Sequence, residues 1–338
     1  MTNLIEITDL SVEFRGPKNG FFRKKSSPVH AVDNVSLNIV KGEALGLVGE
    51  SGSGKTTLGR ALLRLVEPTT GQVHMNSTDG KRNITSLDAK QLRKAWQNMQ
   101  MVFQDPQSSL NPRMTVMDTI AESLLVNGIA KNIRDAKTRV VEVAESCGLS
   151  SDQLNRYPHA FSGGQRQRIS IARALVTKPE FIICDEPVSA LDVSIQAQIL
   201  NLLCKLQEEM DLTLLFISHD LIVVAYICDR IAVMYLGNII EIAPTKTLFN
   251  NPMHPYTEAL ISAIPSNNPD DITGETLLAS DAPGSAGERK GCLFSPRCRY
   301  ADGKKCSTIK PALTDTGDGR MVACHFAEKL SLTGFGNH

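Results

Sequence analysis

Residues 49–57 read GESGSGKTT, a stretch whose residue types can hold a nucleoside triphosphate. Gly49, Gly52 and Gly54 let the backbone curl until its N–H groups face a phosphate. Lys55 supplies a cation for the β- and γ-phosphates, and the Thr56 hydroxyl supplies an oxygen ligand for Mg²⁺. Ser51, Ser53 and Thr57 complete the candidate ATP-binding set in this loop. The apolar strand EALGLV precedes it and a helix follows from Lys55, which is the context a phosphate loop requires. A second requirement is a carboxylate pair at the end of a neighbouring strand, and FIICDEP (181–187) provides one. Asp185 can hold Mg²⁺ through water. Glu186 can orient or deprotonate the attacking water.

These residues need a sheet to position them. ITDLSVEF (7–14) alternates as a strand, and 31–50 reads as two strands with a turn at Lys41-Gly42. The helix from Lys55 places Leu58, Leu62 and Leu65 on one face. The stretch 115–148 is helical in period. FIICDEP and LTLLFISHD (212–220) are short continuous apolar runs, as expected of buried parallel strands, with an amphipathic helix at 196–210 between them. The alternation predicts an α/β domain. Residues 16–28 read as a loop and 265–290 as a polar linker.

Composition removes several classes. The 338 residues and 42% hydrophobic content allow one large domain with an appendage, or two domains. The 36 basic residues are balanced by 36 acidic ones, so no global field attracts nucleic acid. The N-terminus lacks an apolar signal region, and LIVVAYIC (221–228) is far short of a span. The expectation is a chain that does not cross a bilayer by itself and stays in the cytosol.

Four of eight cysteines cluster near the end: Cys292, Cys298, Cys306 and Cys324. Cys147, Cys184, Cys204 and Cys228 sit singly in helical or strand patterns and read as core thiols. The tail four lie in a loop-like region with little core to fill. A disulfide framework conflicts with a reducing compartment. Structural zinc favours short C-x₂₋₄-C knuckles, which are missing. An iron–sulfur cluster tolerates irregular spacing. Cluster, zinc and no metal all stay open on the residues alone.

FSGGQRQRISIARAL (161–175) offers a second anion site. Ser162 reads as an N-cap, and Gly163 and Gly164 leave the helix start bare. With Gln165 this stretch closely resembles the signature of ABC-type ATPases, Phe161 standing in for a leucine. Other motifs of that family follow in order. Gln104, in MVFQDPQSSLNPR, resembles the Q-loop glutamine that senses Mg²⁺ and water. SALD (189–192) resembles the D-loop, with Asp192 at the dimer interface. His219, in FISHD, resembles the switch histidine that contacts the γ-phosphate. Phe14, at the end of the first strand, resembles the aromatic that stacks on adenine; a core or loop phenylalanine is the alternative reading.

The resemblance implies a P-loop ATPase domain over 1–250 with a RecA-like core, an antiparallel β part and a helical subdomain at about 105–165. It also implies head-to-tail pairing, in which Ser162, Gly163, Gly164, Gln165 and Asp192 serve ATP held by the partner. NPMHPYTEALISAIP (251–265) and the tail motif G-C-x-F-x-P-R-C resemble dipeptide/oligopeptide permease ATPases, and SGGQRQR with DEPVSALDVS resembles their F-type subunit. A C-terminal extension over 251–338 is thereby implied, with a 4Fe–4S cluster on the four tail cysteines and zinc as runner-up. So are a D-type ATPase sibling, two transmembrane permease subunits, a solute-binding protein and a place on the cytoplasmic face of the membrane. Glutathione, an oligosaccharide or a metal chelate are alternative cargoes. An ABC ATPase acting on nucleic acid or the ribosome is the alternative of another class; a single cassette, neutral charge and the lack of a coiled coil point away from it.

Overall fold

The computed structural model describes residues 2–14, 28–264 and 290–335. The loop expected at 16–28 and the linker at 265–290 lie almost wholly outside them. The chain forms two compact units. One takes the residues up to Glu6, then Asn38–Ala44 and His74–Ile217; the other takes Ile7–Leu37, Leu45–Val73 and the chain from Ser218 onward.

In the first unit, strands Met99–Val102, Phe181–Asp185 and Thr213–Ile217 lie side by side and parallel, with Met101 opposite Ile183 and Ile183 opposite Leu215. The last two strands are buried along their whole length, which is why their sequences run apolar without alternation. His74–Ser77 and Gly80–Asn83 form an antiparallel ribbon. The helical stretch at 115–148 resolves into Val116–Val126 and Ile133–Ser146. Thr115 and Asn132 cap them by accepting the Asp118 and Asp135 N–H groups. Helix Gly163–Leu175 packs against both and against helix Val193–Met210.

In the second unit, Leu45–Val48 runs parallel to Arg230–Tyr235. Helix Leu221–Ile227 presses close on the first of these, because a Cβ on Gly46 would come within 2.3 Å of Val224 Cγ1. Arg230–Tyr235 turns back into Asn238–Pro244 through Leu236 and Gly237, both at positive φ as a tight hairpin turn requires. The C-terminal region then extends this sheet: Met321–Val322 pairs with Asn238–Pro244, and Thr314–Asp315 pairs with Met321–Val322.

Two ionisable groups are buried where that region joins. Glu241 accepts the N–H groups of Met253 (2.8 Å) and His254 (2.9 Å). Burial pushes its carboxyl up to about 7 and pushes the His254 imidazole down to about 3. The two act on stability in opposite directions. Below about pH 6.5 the unfolded chain protonates His254 while the fold refuses, so stability falls on acidification by about 1.4 kcal/mol per pH unit. Glu241 binds its proton more tightly in the fold, and from about pH 7 down to 4.5 this offsets the loss. Glu241→Gln should therefore show a larger fall in Tm between pH 7 and pH 5 than the parent chain. An equal fall would show that Glu241 is ionised throughout that range.

Candidate functional site

The phosphate loop belongs to the second unit. Gly49, Gly52 and Gly54 all have positive φ, at 153°, 78° and 107°. Two of them are also pinned by neighbours: a Cβ would reach 2.1 Å from the Met234 carbonyl oxygen at Gly49, and 2.1 Å from that of Ala31 at Gly54. Nothing lies within 4 Å of a Cβ on Gly52, which with Ser51 stands exposed at the open side. Helix Lys55–Leu62 starts at Gly54 without a side-chain cap, so its first N–H groups stay available to an anion. Thr56 and Thr57 sit half-buried in its first turn. Lys55 is buried, and its Nζ donates to the carbonyl oxygens of Gly49 (2.7 Å) and Glu50 (2.9 Å) and to Ser53 Oγ (3.4 Å). That folds the ammonium back over the cradle the glycines shape. Phe14 ends its strand 46% exposed, a face a base could cover. His219 is exposed between strand Thr213–Ile217 and helix Leu221–Ile227.

The first unit carries the carboxylates. Asp185 is fully buried at the end of its strand. Glu186 follows in a left-handed conformation (φ 46°), a strained position for a side chain with a Cβ. Its N–H donates to the Ile217 carbonyl oxygen (2.9 Å), which fixes the turn. Gln104 Nε2 donates to Glu186 Oε2 at 2.7 Å, so two residues 82 apart in sequence meet in one constellation.

Ser162 and Gln165 form a reciprocal capping box: the Ser162 N–H donates to Gln165 Oε1 (3.1 Å) and the Gln165 N–H to Ser162 Oγ (3.4 Å). Ser162 and Gly163 are exposed while Gly164 is buried, a Cβ there falling 2.4 Å from Ile195 Cγ2. Gly164 is thus required by packing and Gly163 leaves an open helix start. Asp192 is exposed as the N-cap residue of helix Val193–Met210.

The four tail cysteines line one narrow cavity, together with His254, Phe294, Tyr300 and His325. Hydrogen bonds between turns hold them there: Cys292 N–H to the Cys306 carbonyl oxygen (2.7 Å), and Cys306 N–H to Asp302 Oδ1 (2.9 Å). Burial raises the proton affinity of Cys292, Cys298 and Cys324, the last to about 11, and the neighbouring thiolates add to each effect. Among the described residues, no group of three or more His, Cys, Asp or Glu side chains is gathered to hold a single metal ion. His325 Nε2 lies 2.7 Å from the Ile309 carbonyl oxygen.

The profile of the ABC transporter family matches residues 32–189, and that of the oligopeptide/dipeptide transporter C-terminal region matches residues 240–306. The oligopeptide transport ATP-binding protein OppF of Bacillus subtilis (strain 168) is 54% identical over 267 residues, covering 79% of this chain and 84% of its own length. AppF of the same organism, another oligopeptide transport ATP-binding protein, is 46% identical over 325 residues, covering 95% of this chain and 97% of its own. The chain belongs to the ABC transporter family, in its oligopeptide/dipeptide branch. It is an ABC-type ATPase. The dimeric post-hydrolysis structure of the ATP-binding cassette MJ0796 with ADP and Pi superposes with a TM-score of 0.62 at 28% identity, over 71% of this chain and 98% of that one. The expected mixed α/β cassette fold with its antiparallel part is thus the observed one. Among the described residues no helix is long and apolar enough to cross a membrane.

Sequence reasoning missed three contributors around the loop: Glu50, Tyr256 and Arg297. Glu50 was inside the motif but fills one of its unspecified positions. Arg297 lies 247 residues away and carried no periodic signal. In the HPYT stretch His254 caps helix Pro255–Ser262, with Pro255 in its first turn.

Proposed function

We propose that this chain is the motor subunit of an importer for di- or oligopeptides. The observation that carries the cargo class is the oligopeptide/dipeptide-transporter region matched at 240–306, whose described residues belong to the same unit as the phosphate loop. OppF and AppF are named for oligopeptide transport, which supports the same reading. In this account Lys55 exchanges its loop carbonyls for the β- and γ-phosphates of ATP. Thr56, Asp185 and Gln104 hold Mg²⁺. Glu186 takes the proton of the attacking water, and Gln104, hydrogen-bonded to it, ties that carboxylate to the loop that meets the membrane subunits. His219 reads the γ-phosphate, and Phe14 stacks on adenine. Ser162, Gly163, Gly164, Gln165 and Asp192 close on the ATP of a second cassette, in keeping with the dimeric state of MJ0796.

The partners of this assembly are a D-type ATPase sibling, two permease subunits and a solute-binding protein, with this chain on the cytoplasmic face. Co-purification from detergent-solubilised membranes tests this. Two permease chains and a second ATPase should accompany the protein, whereas ribosomes or DNA in their place would overturn it.

The family resemblance supports a 4Fe–4S cluster on the tail cysteines, which line one cavity. Four sulfurs lining one desolvated cavity repel each other as thiolates, and a cationic metal centre removes that cost. Zinc is the runner-up; its tetrahedral site needs sulfurs about 3.8 Å apart, from Zn–S bonds of about 2.3 Å. When bound, the cluster would cross-link the turns carrying Cys292, Cys298, Cys306 and Cys324. Anaerobically purified protein should be brown, with about four irons and four sulfides per chain. Cys298→Ser should bleach it while ATP still binds. Colourless protein carrying one equivalent of zinc would reject the cluster.

A further inference from the structure

We propose that Arg297 and Tyr256, from the C-terminal region, are positioning residues for ATP that act by bracing Glu50 of the phosphate loop. The inference rests on the reading of GESGSGKTT as that loop. Both backbone polar groups of Glu50 and one of its carboxylate oxygens make hydrogen bonds. Its N–H donates to Tyr256 Oη at 2.9 Å. Its carbonyl oxygen accepts from Lys55 Nζ at 2.9 Å. Its carboxylate pairs with the Arg297 guanidinium: Nη1 donates to Oε2 at 3.2 Å, and Nη2 stands 3.1 Å from Oε1 as an ion pair without a hydrogen bond.

The brace itself is held rigidly. The Arg297 side chain is 4% exposed, against 26% for Glu50. Its guanidinium lies 5.9 Å from the ring centroids of both Tyr235 and Phe294, and Nη1 also reaches Tyr235 Oη at 3.4 Å. Tyr256 is fully buried, its ring 4.6 Å from Tyr235 and 5.4 Å from Phe294. These aromatic rings join the hairpin strand, helix Pro255–Ser262 and the turn before Cys298 into one packed support.

The physical consequence follows from the glycines. A loop with three glycines at positive φ has many conformations close in energy, and only a few aim its N–H groups at one phosphate. Fixing Glu50, the residue after Gly49, removes much of that freedom before ATP arrives, so less ordering is required on binding. An Arg–carboxylate pair whose arginine is buried among aromatic rings is suited to this, because the guanidinium cannot move and the carboxylate is drawn to one place. Neither Arg297 nor Tyr256 has to touch the nucleotide.

The test is titration of the full chain with a fluorescent N-methylanthraniloyl-ATP and Mg²⁺, with steady-state hydrolysis alongside. Tyr256→Phe removes one hydroxyl and keeps the ring, so it tests the brace even if Arg297→Gln fails to fold. Each should raise Kd by about three- to tenfold, and the loss should appear in KM for ATP more than in kcat. Arg297→Lys should recover only part, because a single ammonium cannot reach the Glu50 carboxylate and the Tyr235 hydroxyl while packing flat among the rings. Arg297→Gln combined with Glu50→Gln should be no weaker than the worse single change. A folded Tyr256→Phe or Arg297→Gln protein with Kd within about twofold of the parent overturns the proposal, and so do additive losses in the double variant. Lys55→Ala keeps the two readings apart: it should abolish binding, and retained binding there would instead remove the phosphate-loop reading on which the brace depends.

Discussion

Glu186→Gln should bind MgATP as tightly as the parent chain, lose hydrolysis by about 10²-fold or more, and accumulate as a closed ATPase dimer. The substitution keeps size and an oxygen that can accept from Gln104, whose Nε2 now lies 2.7 Å from the Glu186 carboxylate. What it removes is the proposed base. The backbone at Glu186 is already held in its left-handed turn by the bond to Ile217, so the new amide occupies the same place. The nucleotide cradle is unaltered, which is why binding survives. A multiple-turnover rate within about threefold of the parent would assign the base to another residue.

Gly163→Asp should leave ATP binding to the isolated chain intact and abolish hydrolysis and transport by the assembled complex. The helix it begins is secured by the Ser162–Gln165 capping box, and an acidic residue in a first helical turn favours the macrodipole. Space is tight but sufficient, since a Cβ at Gly163 would lie 3.3 Å from Leu191 Cδ2. The variant should therefore fold. The added carboxylate then faces the triphosphate held by the other cassette, and like charges at close range exclude it. Loss of ATP binding by the isolated chain would mean that Gly163 serves its own nucleotide, and the paired arrangement would be wrong.

The phosphate loop, the two parallel strands at 181–185 and 213–217 and the signature helix were legible because each is local. The glycines, the apolar runs and the cap all act within a dozen residues. The end of the first helix was not. Leu65 has the spacing of the buried face, yet the helix stops at Leu62 and Leu65 is 47% exposed. Arg64 takes a left-handed φ of 54°, and the N–H groups of Arg64 and Leu65 close back on Ala61 and Arg60. That is a helix stop normally marked by glycine, so nothing in the sequence announced it.

The tail shows the larger limit. The spacing of Cys292, Cys298, Cys306 and Cys324 left their use open, because their convergence depends on turns such as the Cys292–Cys306 bond. The addition of Met321–Val322 to the sheet and the Arg297–Glu50 pair are contacts across long separations, set by tertiary packing alone. Glu241 did leave a trace: one carboxylate in the otherwise apolar strand NIIEIA marks a buried polar junction.

The central claim is that ATP hydrolysis at this chain drives peptide uptake. It is tested most directly in proteoliposomes that contain this chain with its permease and ATPase partners, the chain's cytoplasmic side facing enclosed MgATP. Labelled di- or oligopeptide and the solute-binding protein are supplied outside. The account expects peptide to accumulate inside with the parent chain and not with Glu186→Gln. Accumulation that persists with Glu186→Gln, or sustained hydrolysis by the parent complex with no peptide entering, would contradict it.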